Sequence, residues 1–307
     1  MARQSTHFAE AFDNDFRKRT RGLSSNEVPL FRALHSTLVG LSPRFAIEEY
    51  HGAGHQVVFT GDGTYARTAA RCELSDLMIL TYSPQKKHIR LTYLQVKSER
   101  ATLSSPNSSE LSANLEQWFL LSRRPSIQGV GSKFNPPHDL LAGALLSSIG
   151  SFAFLYRDCS GNFQVYYASA HCLRPASTYA TRYGKLIVLA KPCHQMAGGT
   201  LCVRQSNHDE CMIAFGNRPF ATKLFDMKIG TPIDLTAGKV SQQVREWLAI
   251  NLTRLIEKRS GVNHPLALEI IDMLQPQKTS DRPPSVLGAK EILIIRSGEV
   301  DDGEAHS

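Results

Sequence analysis

Residues 72–99, CELSDLMILTYSPQKKHIRLTYLQVKSE, decide how this chain is read. Two runs rich in apolar, β-branched and aromatic residues flank the polar stretch SPQKK, the pattern of two strands joined by a turn. In the second run, Tyr93–Arg100 (YLQVKSER), apolar and polar residues alternate as in a half-buried strand. Leu94 and Val96 then face a core, while Tyr93, Gln95 and Lys97 share the other face. On that face Gln95 and Lys97 are either a solvated edge or two parts of a metal-dependent active site. A turn centred near Gln85 and Lys86, with antiparallel pairing, sets Asp76 opposite Gln95 and gathers Asp76, Gln95 and Lys97 together. Asp76 precedes the apolar run LMIL, where a strand leaves a loop and its side chain can stay wet.

These residue types at this spacing point to metal-assisted phosphodiester hydrolysis. A carboxylate such as Asp76 binds a hard divalent cation, and Mg²⁺ (or Mn²⁺) suits oxygen ligands. Gln95 completes the metal shell through its side chain or through the neighbouring Val96 carbonyl. Lys97, pointing the same way, can hold or help deprotonate the attacking water and offset charge in the transition state. Glu27, near the start of the preceding helix, is a further candidate ligand, although an acid in a first helical turn is also what the helix dipole favours. The long segment between Glu27 and Asp76 offers Glu48, Glu49, Asp62 and Glu73 as alternative extra ligands.

Taken together, Glu27, Ser75-Asp76 and Gln95-Val96-Lys97 resemble the PD-(D/E)xK (restriction-endonuclease-like) nuclease superfamily. The variant is the one in which Gln replaces the acid before the lysine, similar to methyl-directed (Mrr-type) restriction endonucleases. The resemblance covers roughly residues 24–124, and Ser75 stands where the nominal motif has proline. It implies an α/β fold with a restriction-endonuclease-like core, a central mixed sheet flanked by helices, followed by a C-terminal α+β region. It also implies Mg²⁺-dependent endodeoxyribonuclease activity of a restriction or DNA-processing type. Asp76 would be metal ligand, Gln95 the second metal-site residue, Lys97 the catalytic lysine and Glu27 the accessory carboxylate. Gln117 resembles a glutamine of some Q-x-K relatives. A neutral Gln95 is equally compatible with a nuclease fold that has lost activity and binds nucleic acid or a protein.

The remainder of the chain is consistent with such a protein. With 307 residues it can bury a full core and form two domains. A net charge of +7, with clusters Arg17–Arg21, Lys86-Lys87 and Arg123-Arg124, favours a polyanionic partner such as DNA, or is solvated surface charge. Without an apolar span or an apolar leader, the expected location is cytoplasmic, with no membrane partner. Double-strand cleavage by one site per chain favours a homodimer. The six cysteines lack C-x-x-C spacing, and the pairs His171-Cys172 and Cys193-His194 fit no tetrahedral zinc pattern. A third reading, an enzyme using Cys and His residues of the second half, stays open on the sequence. His51 and His55, beside glycines, contact phosphate or decorate a turn; Trp118 and Trp247 read as core.

The expected division is an N-terminal arm (1–23), a nuclease core (24–125), an α+β recognition or oligomerisation region (126–280), and a last strand with an acidic tail (281–307). Within it, LSSNEVPLFRALHSTLVGL is a helix capped by Ser25 or Asn26, with Pro29 in its first turn. FAIEEY and HQVVFTG are strands. NSSELSANLEQWFLLSRR is one helix capped by Asn107 or Ser108, and LLAGALLSSI is a short buried helix. SFAFLYRDCSGNFQVYYASA is a hairpin about Ser160-Gly161-Asn162, and KLIVLA, TLCVRQ and CMIAFG are strands. VSQQVREWLAINLTRLIEKR and PLALEIIDMLQ are helices, and EILIIR is the last strand.

Overall fold

The computed structural model describes residues 2–41, 55–83, 88–103, 110–130, 134–177, 182–189, 199–205, 207–233, 242–258, 268, 270, 271, 274 and 292–296. FAIEEY, the HGAG turn with His51, Glu48, Glu49, Cys193 and His194 all lie outside them. The chain opens with helices α1 (Ala2–Thr20) and α2 (Glu27–Leu41), then strands β1 (Gln56–Phe59), β2 (Ala70–Glu73), β3 (Leu77–Ser83), β4 (His88–Thr102) and β5 (Leu111–Asn114). Helix α3 (Leu115–Arg123) leads to β6 (Gln128–Gly129), β7 (Gly150–Arg157), β8 (Phe163–Ser169), β9 (Leu173–Pro175) and β10 (Tyr183–Val188). Strands β11 (Thr200–Gln205) and β12 (His208–Phe215) precede helix α4 (Asn217–Phe225), β13 (Thr231–Pro232), helix α5 (Gln242–Lys258) and β14 (Ile292–Arg296).

This is an α/β protein. Its central mixed sheet runs β11-β12-β8-β7-β4-β3-β14, with β13 added against β4. The β4–β7 and β3–β14 pairs are parallel; the rest are antiparallel. Two three-stranded antiparallel sheets, β2-β1-β6 and β5-β10-β9, accompany it. Strands from either side of residue 125 therefore share one sheet, because β7 docks directly on β4.

Period-2 alternation explains the two hydrophobic layers. Leu77, Ile79, Leu94, Val96, Ala153, Leu155 and Val165 face a cluster closed by Phe12 and Phe16 of α1, Leu30 and Leu34 of α2, and Phe220 and Leu224 of α4. Met78, Leu80, Tyr93, Phe152, Phe154 and Tyr166 face a second cluster closed by Trp118 and Leu120 of α3 and by Trp247 and Leu248 of α5. YLQVKSER is thus a central strand buried on both faces rather than half-buried: Tyr93 and Gln95 are each 1% exposed. A strand between two paired neighbours and two helical layers has no solvent face until its end, at Lys97 and Ser98.

Several local expectations are met. Asn26 O accepts from Leu30 N, so α2 starts one residue later, with Pro29 inside its first turn. The β7–β8 hairpin turns where Gly161 adopts φ +77°, and Asp158 Oδ1 accepts from the backbone of Ser160 and Asn162. Others are corrected. CELSDLMILTY is two strands, β2 and β3, belonging to different sheets. Asn107 and Ser108 lie outside the described residues; within the expected helix, Leu111–Asn114 instead pair with β10, and α3 follows from Leu115, capped by Asn114, which accepts from Glu116 N. LLAGALLSSI forms turns and one 3₁₀ turn, Ser147–Ile149, not an α-helix. Helix α4 has no counterpart in the sequence reading, although Gly216 before it and Pro219 in its first turn are start signals. None of the described helices is long and apolar enough to cross a membrane.

Candidate active site

The β3–β4 register pairs Leu77 with Leu94, which sets Asp76 opposite Gln95, as the short turn requires. Asp76 N donates to Leu94 O at 3.2 Å. Its Oδ2 accepts from Val96 N at 2.8 Å and from Gln95 Nε2. The half-buried carboxylate is therefore fixed against β4 by backbone and side chain together. Ser75, at the proline position of the motif, is buried and donates from Oγ to Leu77 O at 3.0 Å, starting β3.

Two residues beyond Gln95, Lys97 emerges on the same face with 18% of its side chain exposed. Its Nζ donates to Glu27 Oε1 at 3.1 Å. One residue on, Ser98 Oγ donates to Ser25 O at 2.7 Å. These two bonds tie the start of α2 to β4, so the chain-distant acid reaches the lysine rather than the aspartate. Ion pairing with a carboxylate that is 44% exposed is worth little to stability; its effect is to aim Lys97.

Lys97 and Glu27 line a cleft of about 730 Å³, shared with Glu73, Gln117, Ser112, Asn114, Arg182, Tyr183 and Lys185. Three cations and two carboxylates among the lining side chains leave it weakly cationic. Asp76 does not line this cleft. It borders a pocket of about 10 Å³ with His55, Ser75, Tyr93, Phe134 and Trp247. Gln95 is hydrogen-bonded to Asp76 and lies on the same strand face as Lys97, two residues before it.

Among the described alternatives, Glu73 joins Glu27 and Lys97 in the cleft. Asp62 is committed elsewhere: its Oδ1 accepts from the backbone of Thr64, Tyr65 and Ala66, closing a loop. Burial raises the Asp62 pKa, but those N–H groups outweigh it and the net shift is downward. Gln117 is buried but borders the cleft. His55 packs edge-on against Phe134, and Trp118 and Trp247 are core residues.

Sequence reasoning did not identify the far wall, Ser112, Asn114, Arg182, Tyr183 and Lys185. It is built by β5 and β10, paired across some seventy residues of chain, for example Ser112 with Lys185. Nor did it single out Glu99, on the Gln95 and Lys97 face, which is 4% exposed and accepts from Ser112 N and, at 3.4 Å, from Ser112 Oγ. The period-2 spacing 95, 97, 99 was the available signal.

As a cation site the cluster is oxygen-rich and poor in charge. Gln95 Oε1 is buried and, among the described residues, accepts no hydrogen bond; a hard cation beside Asp76 would satisfy it. No group of three or more His, Cys, Asp or Glu side chains suited to a metal occurs among the described residues. No family model, curated protein or solved structure matches this chain.

Proposed function

We propose that the chain is a divalent-metal-dependent endodeoxyribonuclease on a restriction-endonuclease-like core. The observation that carries this reading is the bonding of Asp76 to Gln95 and Val96 across opposed strand ends, with Lys97 two residues further along β4 and bonded to Glu27. Asp76 would hold Mg²⁺ or Mn²⁺, joined by Gln95 Oε1 once that amide, whose Nε2 now faces Asp76, turns over; the ion's contribution is Lewis-acid activation of water and of the scissile phosphate. Lys97 orients the attacking water at the cleft floor and neutralises charge that builds on the phosphoryl oxygens. Glu27 accepts from Lys97 and keeps its ammonium directed. Arg182 and Lys185 face the same cleft as ready partners for DNA phosphates. Restriction or DNA processing in the cytoplasm, by a homodimer when both strands are cut, follows from this reading.

The test is plasmid cleavage in Mg²⁺ by the wild type and by Asp76→Ala and Lys97→Ala. Each variant is expected to lose activity by about 10²-fold or more while keeping its fold by circular dichroism. Full activity in both folded variants would sink the proposal.

A second reading is favoured by one observation. Asp76 is already bonded to Val96 and Gln95 and faces the small pocket, not the cleft. On that reading the chain is an inactive nuclease scaffold that binds nucleic acid or a protein. DNA binding unchanged by Mg²⁺ or Mn²⁺, with no cleavage of any duplex, single-stranded or methylated substrate, would select it.

A further inference from the structure

Strand β11 forms one edge of the central sheet and pairs with β12. Cys202 of β11 and Cys211 of β12 are cross-strand partners, at a register shift following Leu201. Opposed residues of an antiparallel pair hold their Cα atoms roughly 4.5–5.5 Å apart, within the roughly 4.4–6.8 Å that a disulfide spans. Both thiols are free, Cys202 exposed and Cys211 fully buried.

The two sulfurs are chemically unequal. The Cys211 thiol has one proton and two acceptors in reach, Ile213 O at 3.4 Å and the Cys202 sulfur. Donated to Cys202, that proton stabilises a Cys202 thiolate, and this is the largest influence on it. Partial burial works against ionisation; Lys223 of α4 and Lys228 after it favour it, and Asp209 of β12 opposes them. Asp209 is itself paired with Lys228 at 3.4 Å. The outcome is a Cys202 pKa lowered to about 6, while the same hydrogen bond and burial push Cys211 up. An exposed thiolate in electropositive surroundings, with a second thiol against it, is the arrangement of a reactive cysteine and its resolving partner.

We propose that Cys202 and Cys211 form a hydroperoxide-reactive pair that closes to a disulfide. The Cys202 thiolate attacks the terminal oxygen of a hydroperoxide; the O–O bond breaks, sulfur is oxidised to a sulfenic acid, and the other oxygen leaves as an alcohol (or water) after taking a proton. The Cys211 sulfur then attacks the Cys202 sulfur. The S–S bond forms, the S–O bond breaks, and the hydroxide departs as water with the Cys211 proton. Two electrons pass from the two sulfurs to the peroxide, and the β11 edge becomes stapled to β12. This chemistry is independent of the nuclease reading.

The experiment treats the full chain with hydrogen peroxide and maps the products by mass spectrometry. The expected product has lost two hydrogens and yields a linked Cys202–Cys211 peptide. Cys211→Ser should stop at a sulfenic acid captured by dimedone, and Cys202→Ser should give neither product. In the wild type, the rate of Cys202 alkylation by iodoacetamide should be half-maximal near pH 6 and level by pH 8. The wild-type measurements stand alone if the buried Cys211→Ser variant fails to fold. The proposal is overturned by oxidation of Cys202 no faster than of Cys159, by an unlinked wild-type product, or by an alkylation rate still climbing through pH 8.

Discussion

Glu99 sits two residues beyond Lys97 on the same strand, and lost hydration is the strongest influence on its carboxyl. Burial raises its pKa above the ordinary 4.5, against the opposing pull of Ser112 N, Lys185 and the Ser112 hydroxyl. A folded carboxyl with a raised pKa holds its proton more tightly than the unfolded chain does. Its contribution is complete below 4.5 and is lost as pH rises from there through the raised folded value. Glu99→Gln keeps the shape and removes the titration. Urea midpoints measured from pH 4 to 7 should therefore fall for the wild type relative to the variant across that window; parallel curves would contradict the assignment. At this scale the sequence was most legible where a short turn dictated register. Asp76 and Gln95 could be opposed by counting, whereas the bond from Lys97 to Glu27 depends on how α2 crosses the sheet, which no local pattern encodes.

Helix α3 is held at a fixed height over the sheet by one missing side chain. A Cβ on Gly150 would lie 2.5 Å from Leu121 O and 2.8 Å from Leu121 Cβ, so helix backbone and β7 meet with no room between. Gly150 also pairs with Tyr93 at the start of the parallel β4–β7 ladder. Gly150→Ala should destabilise the protein by about 1–3 kcal/mol in urea unfolding; unchanged stability would mean that α3 can shift freely. The same neighbourhood shows why elements were partly misread. Leu111 and Ala113 look like the first turn of the α3 helix, yet both are buried through pairing with β10, a partner invisible to local periodicity. In LLAGALLSSI, Leu140, Leu141, Leu146 and Ile149 are all buried, but they fill space beneath the sheet in turns instead of forming a stripe. The β7–β8 hairpin was readable because its turn chemistry lies within the segment itself.

At the scale of the whole molecule, one sheet collects strands from the beginning, middle and end of the chain. Its two faces were foreshadowed by alternating apolar residues in β3, β4, β7 and β8, but strand order was not, because β4 pairs with β7 and β3 with β14 across long excursions. The candidate cleft needs a second sheet as well, since the far wall facing Lys97 of β4 comes from β5 and β10 of the small β5-β10-β9 sheet. The parallel contact of Met78 with Ile292 has a kinetic meaning. Closing so long a loop costs entropy before any ladder bond returns it, so this strand should join late. Pulse-labelled hydrogen exchange during refolding should protect the β3–β4 hairpin amides in an earlier phase than those of β14; protection of both in one phase would argue against it. Until that last strand arrives, β3 is an unpaired edge that another copy's strand can occupy, and refolding yield should fall as protein concentration rises.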